Sequence, residues 1–139
     1  MKKYLLSLLI ICLTVSSCAS KQSGRSLVGS WKLIAYGPVD SPAPAVPDVE
    51  AILSFGADGT LTGNTGCNQI GGEYKVEGDQ IAFDSIVSTL IACPDLQMAQ
   101  EETMLQVLTD TATFKIEGNT LTITNNDMAL VFEAVTTGS

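Results

Sequence analysis

The sequence predicts a small antiparallel β-barrel, or a strongly curled sheet, of about eight short strands with one helix. Three observations carry this expectation. β-Type runs of alternating apolar residues recur between turn signals rich in Gly, Asn and Asp. One segment alone combines a proline start with helix-period apolar residues. The 113 residues from Leu27 to Ser139 are enough for one modest core and too few for two domains.

Taken in order, Gly29 to Tyr36 ("GSWKLIAY") opens the domain as a strand. The following "GPVDSPAPAVPD" holds four of the five prolines and is expected to be an exposed, partly polyproline-II loop (role of residues 38–47 open), because proline excludes helix and central strand. "AILSFGADGTLTGN" sets Ile52, Leu53 and Phe55 against Leu61 across the turn Ala57-Asp58-Gly59, which is a hairpin signature. Two later stretches, "YKVEGDQIAF" and "FKIEGNTLTI", share one pattern. Alternation puts Tyr74, Val76, Ile81 and Phe83 on one face, and Phe114, Ile116, Leu121 and Ile123 on its counterpart. Internal duplication and repeated use of the same turn chemistry both fit; the second is favoured, since Glu-Gly-Asp and Glu-Gly-Asn are ordinary turn choices. "NND" (Asn125 to Asp127) turns the chain into a last strand, Met128 to Glu133. Between the two similar hairpins, Pro94 fits a first helical turn and Asp95 complements the helix dipole. The segment "DLQMAQEETMLQVL" carries Met98, Leu105 and Leu108, with Met104 beside them, as the expected core stripe. Thr109-Asp110 ends the helix, which is expected to cover one opening of the barrel.

The N-terminus sets the compartment. Met1-Lys2-Lys3 precedes an apolar run from Tyr4 to about Val15, too short to span a membrane comfortably. Val15-Ser16-Ser17-Cys18 resembles a bacterial lipobox. Residues 1–17 therefore read as a lipoprotein signal peptide, Cys18 as the lipid attachment site, 18–26 as a polar tether, 27–135 as the folded domain and 136–139 as a tail. The expected location is the bacterial cell envelope, anchored by lipid. Ala19 replaces the aspartate that would retain an inner-membrane lipoprotein, which favours the outer membrane.

The most distinctive stretch is "GNTGCNQIGGEY", with Gly63, Gly66, Gly71 and Gly72 around Cys67 and Asn68. It lacks the spacing of a P-loop or dinucleotide fingerprint and leads into a strand, so its glycines read as turn or close-approach positions. The mature domain has one other cysteine, Cys93. In an oxidising envelope the two are expected to pair, closing a 26-residue separation. A reactive Cys93 at a helix N-terminus is the rival reading.

Composition narrows the chemistry. There is no histidine, which removes Ser-His-Asp and Cys-His catalysis and His-ligated zinc. Glu101 and Glu102 are adjacent on the helix and point about 100° apart, so they form no acid/base pair across a cleft and read as a solvated face. No enzyme activity, cofactor or metal is expected. From Leu27 onward Lys32, Lys75 and Lys115 stand against fifteen acids, a net charge of 3 − 15 = −12. Nucleic acid is excluded as a partner, since nothing clusters cations to displace its counterions. The acidity serves solubility and leaves room for a basic protein partner.

In order, "GSWKLIAYG", "FGADGTLTGNTGCNQIGGEYKV", "STLIACP", "EETMLQVL" and "GNTLTI" resemble the META domain of HslJ-like bacterial lipoproteins, over nearly all of Leu27 to Glu133. The Gly-Cys-Asn core followed by Thr-x-x-x-Cys is the specific part. The resemblance implies a small β-rich fold with one helix, structural roles for Cys67, Cys93 and the glycines, and association with envelope stress, drug tolerance or, in distant relatives, secretion and virulence. It implies no catalytic residue. The expected function is a non-catalytic, monomeric envelope lipoprotein in envelope maintenance or stress tolerance. An acidic binder or inhibitor of a basic envelope-attacking protein such as lysozyme, and a small-molecule carrier, are the alternatives.

Overall fold

The structure is a computed structural model that describes residues 26–136. The expected signal peptide, lipid-attachment residue Cys18 and tether up to residue 25, and residues 137–139 of the expected tail, lie outside the described residues. Nine strands and one helix follow in chain order: β1 (Gly29–Pro38), β2 (Ala43–Pro44), β3 (Ile52–Phe55), β4 (Thr60–Asn64), β5 (Gln69–Glu77), β6 (Gln80–Ser88), α1 (Asp95–Val107), β7 (Thr111–Glu117), β8 (Thr120–Asn125) and β9 (Met128–Ala134). Every ladder is antiparallel, and β1 pairs with both β3 and β9. Eight strands thereby close into a barrel, with β2 added outside on β1.

The turns explain the meander. Glu77 pairs with Gln80 and Glu117 with Thr120, leaving two-residue loops that begin with Gly78 at φ 64° and Gly118 at φ 60°. Positive φ at that position matches the strand twist, so glycine fixes the register of both hairpins. Tyr74 faces Phe83 and Val76 faces Ile81; Phe114 faces Ile123 and Ile116 faces Leu121. The expected faces are therefore formed, although Val76, next to its turn, is exposed. Bulges at Leu33/Ala35 in β1 and Gly71/Glu73 in β5 supply the curvature that closure needs.

Alternate residues of the strands fill the interior. Trp31, Leu53, Phe55, Leu61, Ile81, Leu121, Ile123, Leu130 and Phe132 are almost fully buried there. The chain enters β1 at the end carrying the Gly56–Gly59 turn, since Gly29 pairs with Phe55. Leu27 packs into the core at that end, and its carbonyl accepts the Trp31 indole N–H at 2.8 Å. At the other end α1 packs on β1, β8 and β9 and adds Met104, Val107 and Leu108 to the same core. Asn125 donates its amide to the carbonyls of Val107 and Thr109, satisfying the free end of the helix.

Two expectations change. The proline-rich stretch is not all loop: β1 runs on to Pro38, and Ala43–Pro44 returns as an edge strand, where a missing N–H costs no ladder bond. The helix stripe is also shifted. Met98 is exposed and Leu105 half-buried, while Gln100, Glu101, Met104 and Val107 face inward. Glu101 is thus no part of a solvated face; only Glu102 is exposed.

Tyr74 generates a pH-dependent expectation. Its ring meets Phe55 edge-on at 5.1 Å, and its hydroxyl donates to the Gly56 carbonyl at 2.7 Å. Burial, with the Asp58 carboxylate adding to it, raises the phenol above its ordinary value of 10.0. The unfolded chain then releases that proton first, so this contribution is complete below about pH 10 and is lost as pH rises beyond it. Tyr74→Phe should lower stability at neutral pH by about 1 kcal/mol and flatten the alkaline loss, read from urea melts between pH 7 and pH 11.

Candidate functional site

The glycine-rich loop, the second cysteine and the helix meet at the α1 end of the barrel. After β4 the chain turns through Thr65 to Asn68. Gly63, the last glycine of β4, lies so close to β3 that a Cβ would run into the Ile52 carbonyl. Gly66 has φ 90°, and a Cβ there would stand 2.8 Å from the Gln100 amide nitrogen. Gly72 sits in the β5 bulge, where a Cβ would stand 2.6 Å from the end of Ile86. Gly71 is different: its Cβ would meet nothing closer than 3.8 Å, so packing does not require glycine there.

Asn68 is buried and joins three segments. Its amide nitrogen donates to Glu101 Oε1 at 2.9 Å and to the Ile91 carbonyl at 3.1 Å. Its amide oxygen accepts from Thr89 Oγ1 and from the Ile91 N–H, both at 2.7 Å. The other oxygen of Glu101 accepts from Thr65 Oγ1 at 2.5 Å and from the Asn68 backbone N–H at 3.1 Å. One helical position earlier, Gln100 donates to the Thr65 carbonyl at 2.7 Å and accepts from the Val46 N–H at 2.8 Å. Neutral donors aimed at a buried carboxylate replace its lost hydration.

Cys67 and Cys93 are bonded beside this network, with Cα atoms 5.9 Å apart. The bond ties the β4–β5 loop to the residue before Pro94, the helix N-cap. The structure thus brings Cys67, Asn68 and Cys93 together with Glu101, Gln100, Thr65 and Thr89, which the sequence reading did not assign to the site. Apolar spacing along the helix could not have found them, since it points to Met98 and Leu105 instead.

Chemically, the cysteines and Glu101 at this end are already partnered. Both thiols are consumed in the bond, and the Glu101 oxygens are occupied. Among the described residues no group of three or more His, Cys, Asp or Glu could hold a metal ion. Exposed apolar residues flank Cys93 in the chain: Leu90, Ile91 and Leu96, Leu90 almost completely exposed at 96%.

The family model of the META domain matches residues 25–136. This chain belongs to the META domain family. Among curated proteins none matches it. Its fold is similar to the NMR structure of a protein from Burkholderia xenovorans, with TM-score 0.64 and 25% identity over 78% of this chain and 82% of that one. It is also similar to a DUF4847 family protein from Bacteroides vulgatus, with TM-score 0.57 and 16% identity over 76% and 91% of the two chains. A lipocalin-like protein from Bacteroides uniformis gives TM-score 0.50 and 16% identity over 78% and 98%. The META barrel therefore has neighbours across differently named families, and these likenesses concern the fold.

Glu101→Ala should destabilise the META domain by about 3 kcal/mol, because Thr65 and Asn68 would lose acceptors in a buried place, whereas Glu102→Ala should stay within about 0.5 kcal/mol; chemical denaturation compares them.

Cys67→Ala and Cys93→Ala should each cost about 3 kcal/mol and the double mutant little more, since each removes the same cross-link. Thiol titration of the denatured, unreduced wild-type protein should find no free cysteine in this pair.

Proposed function

We propose that this META protein is a non-catalytic bacterial lipoprotein, held in the outer membrane through Cys18, that supports envelope maintenance under heat or drug stress by binding on its surface. The packed barrel interior carries this reading. Trp31, Phe55 and Phe132 fill the space that a carrier of the same architecture would leave for cargo. Binding on the outside is thereby favoured over a small-molecule carrier. The anchor follows from the lipobox-like Val15-Ser16-Ser17-Cys18, since several acyl chains, at about 0.8 kcal/mol per buried methylene, hold a protein durably.

A second reading has its own observation. Between Lys75 and Lys115 there is no lysine or arginine, while Glu77, Asp79, Asp84, Asp95, Glu102 and Asp110 lie there exposed, Glu101 being buried. An acidic surface of this extent suits a basic protein partner, such as an attacking lysozyme.

The test is a deletion strain complemented with either the wild-type chain or Cys18→Ser. Wild type should label with fatty acid, sediment with membranes and restore growth under heat or antibiotic. Cys18→Ser should do none of these. Continued acylation of Cys18→Ser would overturn the anchor, and full rescue by a chain that stays unacylated would overturn the need for it.

A further inference from the structure

We propose that the outer stripe of α1, together with the Leu90-Ile91 loop beside the disulfide, is a docking groove for a cationic amphipathic segment of a protein partner. The inference rests on the surface-binding reading above and assigns it a place and a ligand chemistry.

Asp95, Met98, Glu102 and Leu105 are spaced three, four and three apart, which stacks them on one helix face. They border a shallow cavity of about 500 Å³ that Ala99 and Glu101 also line. Apolar and acidic positions alternate along it. The groove does not stop at the helix. Met98 Sδ lies 3.7 Å from Cys67 Sγ, and Cys67 Sγ lies 3.4 Å from the Ile91 carbonyl. Leu90 and Ile91 carry the apolar surface onward, so four exposed large apolar residues, Leu90, Ile91, Leu96 and Met98, fall within nine positions. Single exposed apolar residues are ordinary on a soluble protein; a run of them around a cavity marks a contact surface.

The surroundings make this surface suited to binding. The disulfide and the amide of Asn68 fix the loop before any partner arrives, so little ordering entropy remains to be lost on docking. Methionine adapts to varied apolar side chains. An incoming helix reading i, i+3, i+7 could lay its apolar face over Met98 and Leu105.

Charge selects among occupants. Asp95 and Glu102 rim the groove, while Lys75 and Lys115 stand toward the two-residue turns at the opposite end of the barrel. Lysines or arginines flanking an apolar stripe complement that rim. A second copy of this chain would bring the same acids face to face. The chain's own membrane is disfavoured by position: β1 is entered at the Gly56–Gly59 end, whereas α1 and the 89–94 loop cap the opposite end, so the groove faces away from an anchor placed N-terminal to Leu27. Anionic headgroups would also be repelled.

The experiment uses the full chain on nanodiscs of zwitterionic lipid, with empty nanodiscs subtracted. The probe is a synthetic helix of about 18 residues, five turns, with leucine at helix-period positions and lysine elsewhere. A matched peptide with glutamate in place of lysine is the control. The lysine peptide should bind, the glutamate peptide should not, and affinity should fall as ionic strength passes roughly 0.1 M. Met98→Asp, Leu90→Ser and Glu102→Lys should each weaken binding by about tenfold, while Glu77→Lys, at the other end of the barrel, should change it by less than about twofold. Leu90 is exposed enough that its variant tests the surface without risk to the core. Unchanged binding in the three groove variants, with the salt dependence kept, would leave the acidic-binder reading standing and overturn the groove. No binding of the lysine peptide would overturn both. Binding of both peptides alike would overturn the role of charge, and self-association abolished by Met98→Asp would give the face to a second copy instead.

Discussion

The side-chain amide of Asn68 holds one end of this barrel together. An asparagine amide has two donors and two acceptor positions, and here all four are used inside the protein: on Glu101, on both backbone groups of Ile91 and on Thr89. The arrangement depends on Glu101 being delivered by the helix, on Thr89, the residue after β6, bonding to Gln69, and on Gly66 letting the chain turn. Remove any member and several buried polar groups lose partners together. Such networks are worth more than the sum of their bonds when complete and become costly when broken. The disulfide adds a covalent limit on how far these loops can separate. The two devices are complementary: one orients, the other restrains.

The rest of the fold follows from closing both ends of a tube. Strand alternation fills the middle with large apolar side chains without further instruction. The mouths are harder, because loops there expose backbone groups that need partners. Leu27 and Trp31 close the entry end with an apolar plug and one indole bond. The helix closes the other end with an apolar half, Met104, Val107 and Leu108, and a polar half, Gln100 and Glu101. A single helix face thus serves a dry core and a hydrogen-bonded rim side by side.

This division explains what was legible in the sequence. The hairpins were readable because their information is local: Gly78 and Gly118 set the turn, and period-two alternation sets the face. The bond between Cys67 and Cys93 was readable from compartment and cysteine number. The inward face of α1 was not, since burial of Glu101 depends on donors from Thr65 and Asn68, far away in sequence, and apolar periodicity alone points instead to Met98 and Leu105. The strand at Ala43–Pro44 was hidden for a related reason: its prolines argue against strands in general, and only its outermost position in the sheet makes them harmless. Gly71 shows the converse limit, as a glycine in a conspicuous run whose surroundings would accept a larger residue.

Closure of β1 onto β9 also bears on crowding. An open sheet presents rows of unpaired amides to its neighbours, and at high local concentration such rows zip together. Here the circle of strands consumes most of its own edges, although β6 meets β7 only over Gln80–Ala82, and the strand left outside, β2, is two residues long and set among Pro42, Pro44 and Pro47. Proline offers no N–H to an incoming strand, so the outer edge at β2 resists edge-to-edge polymerisation.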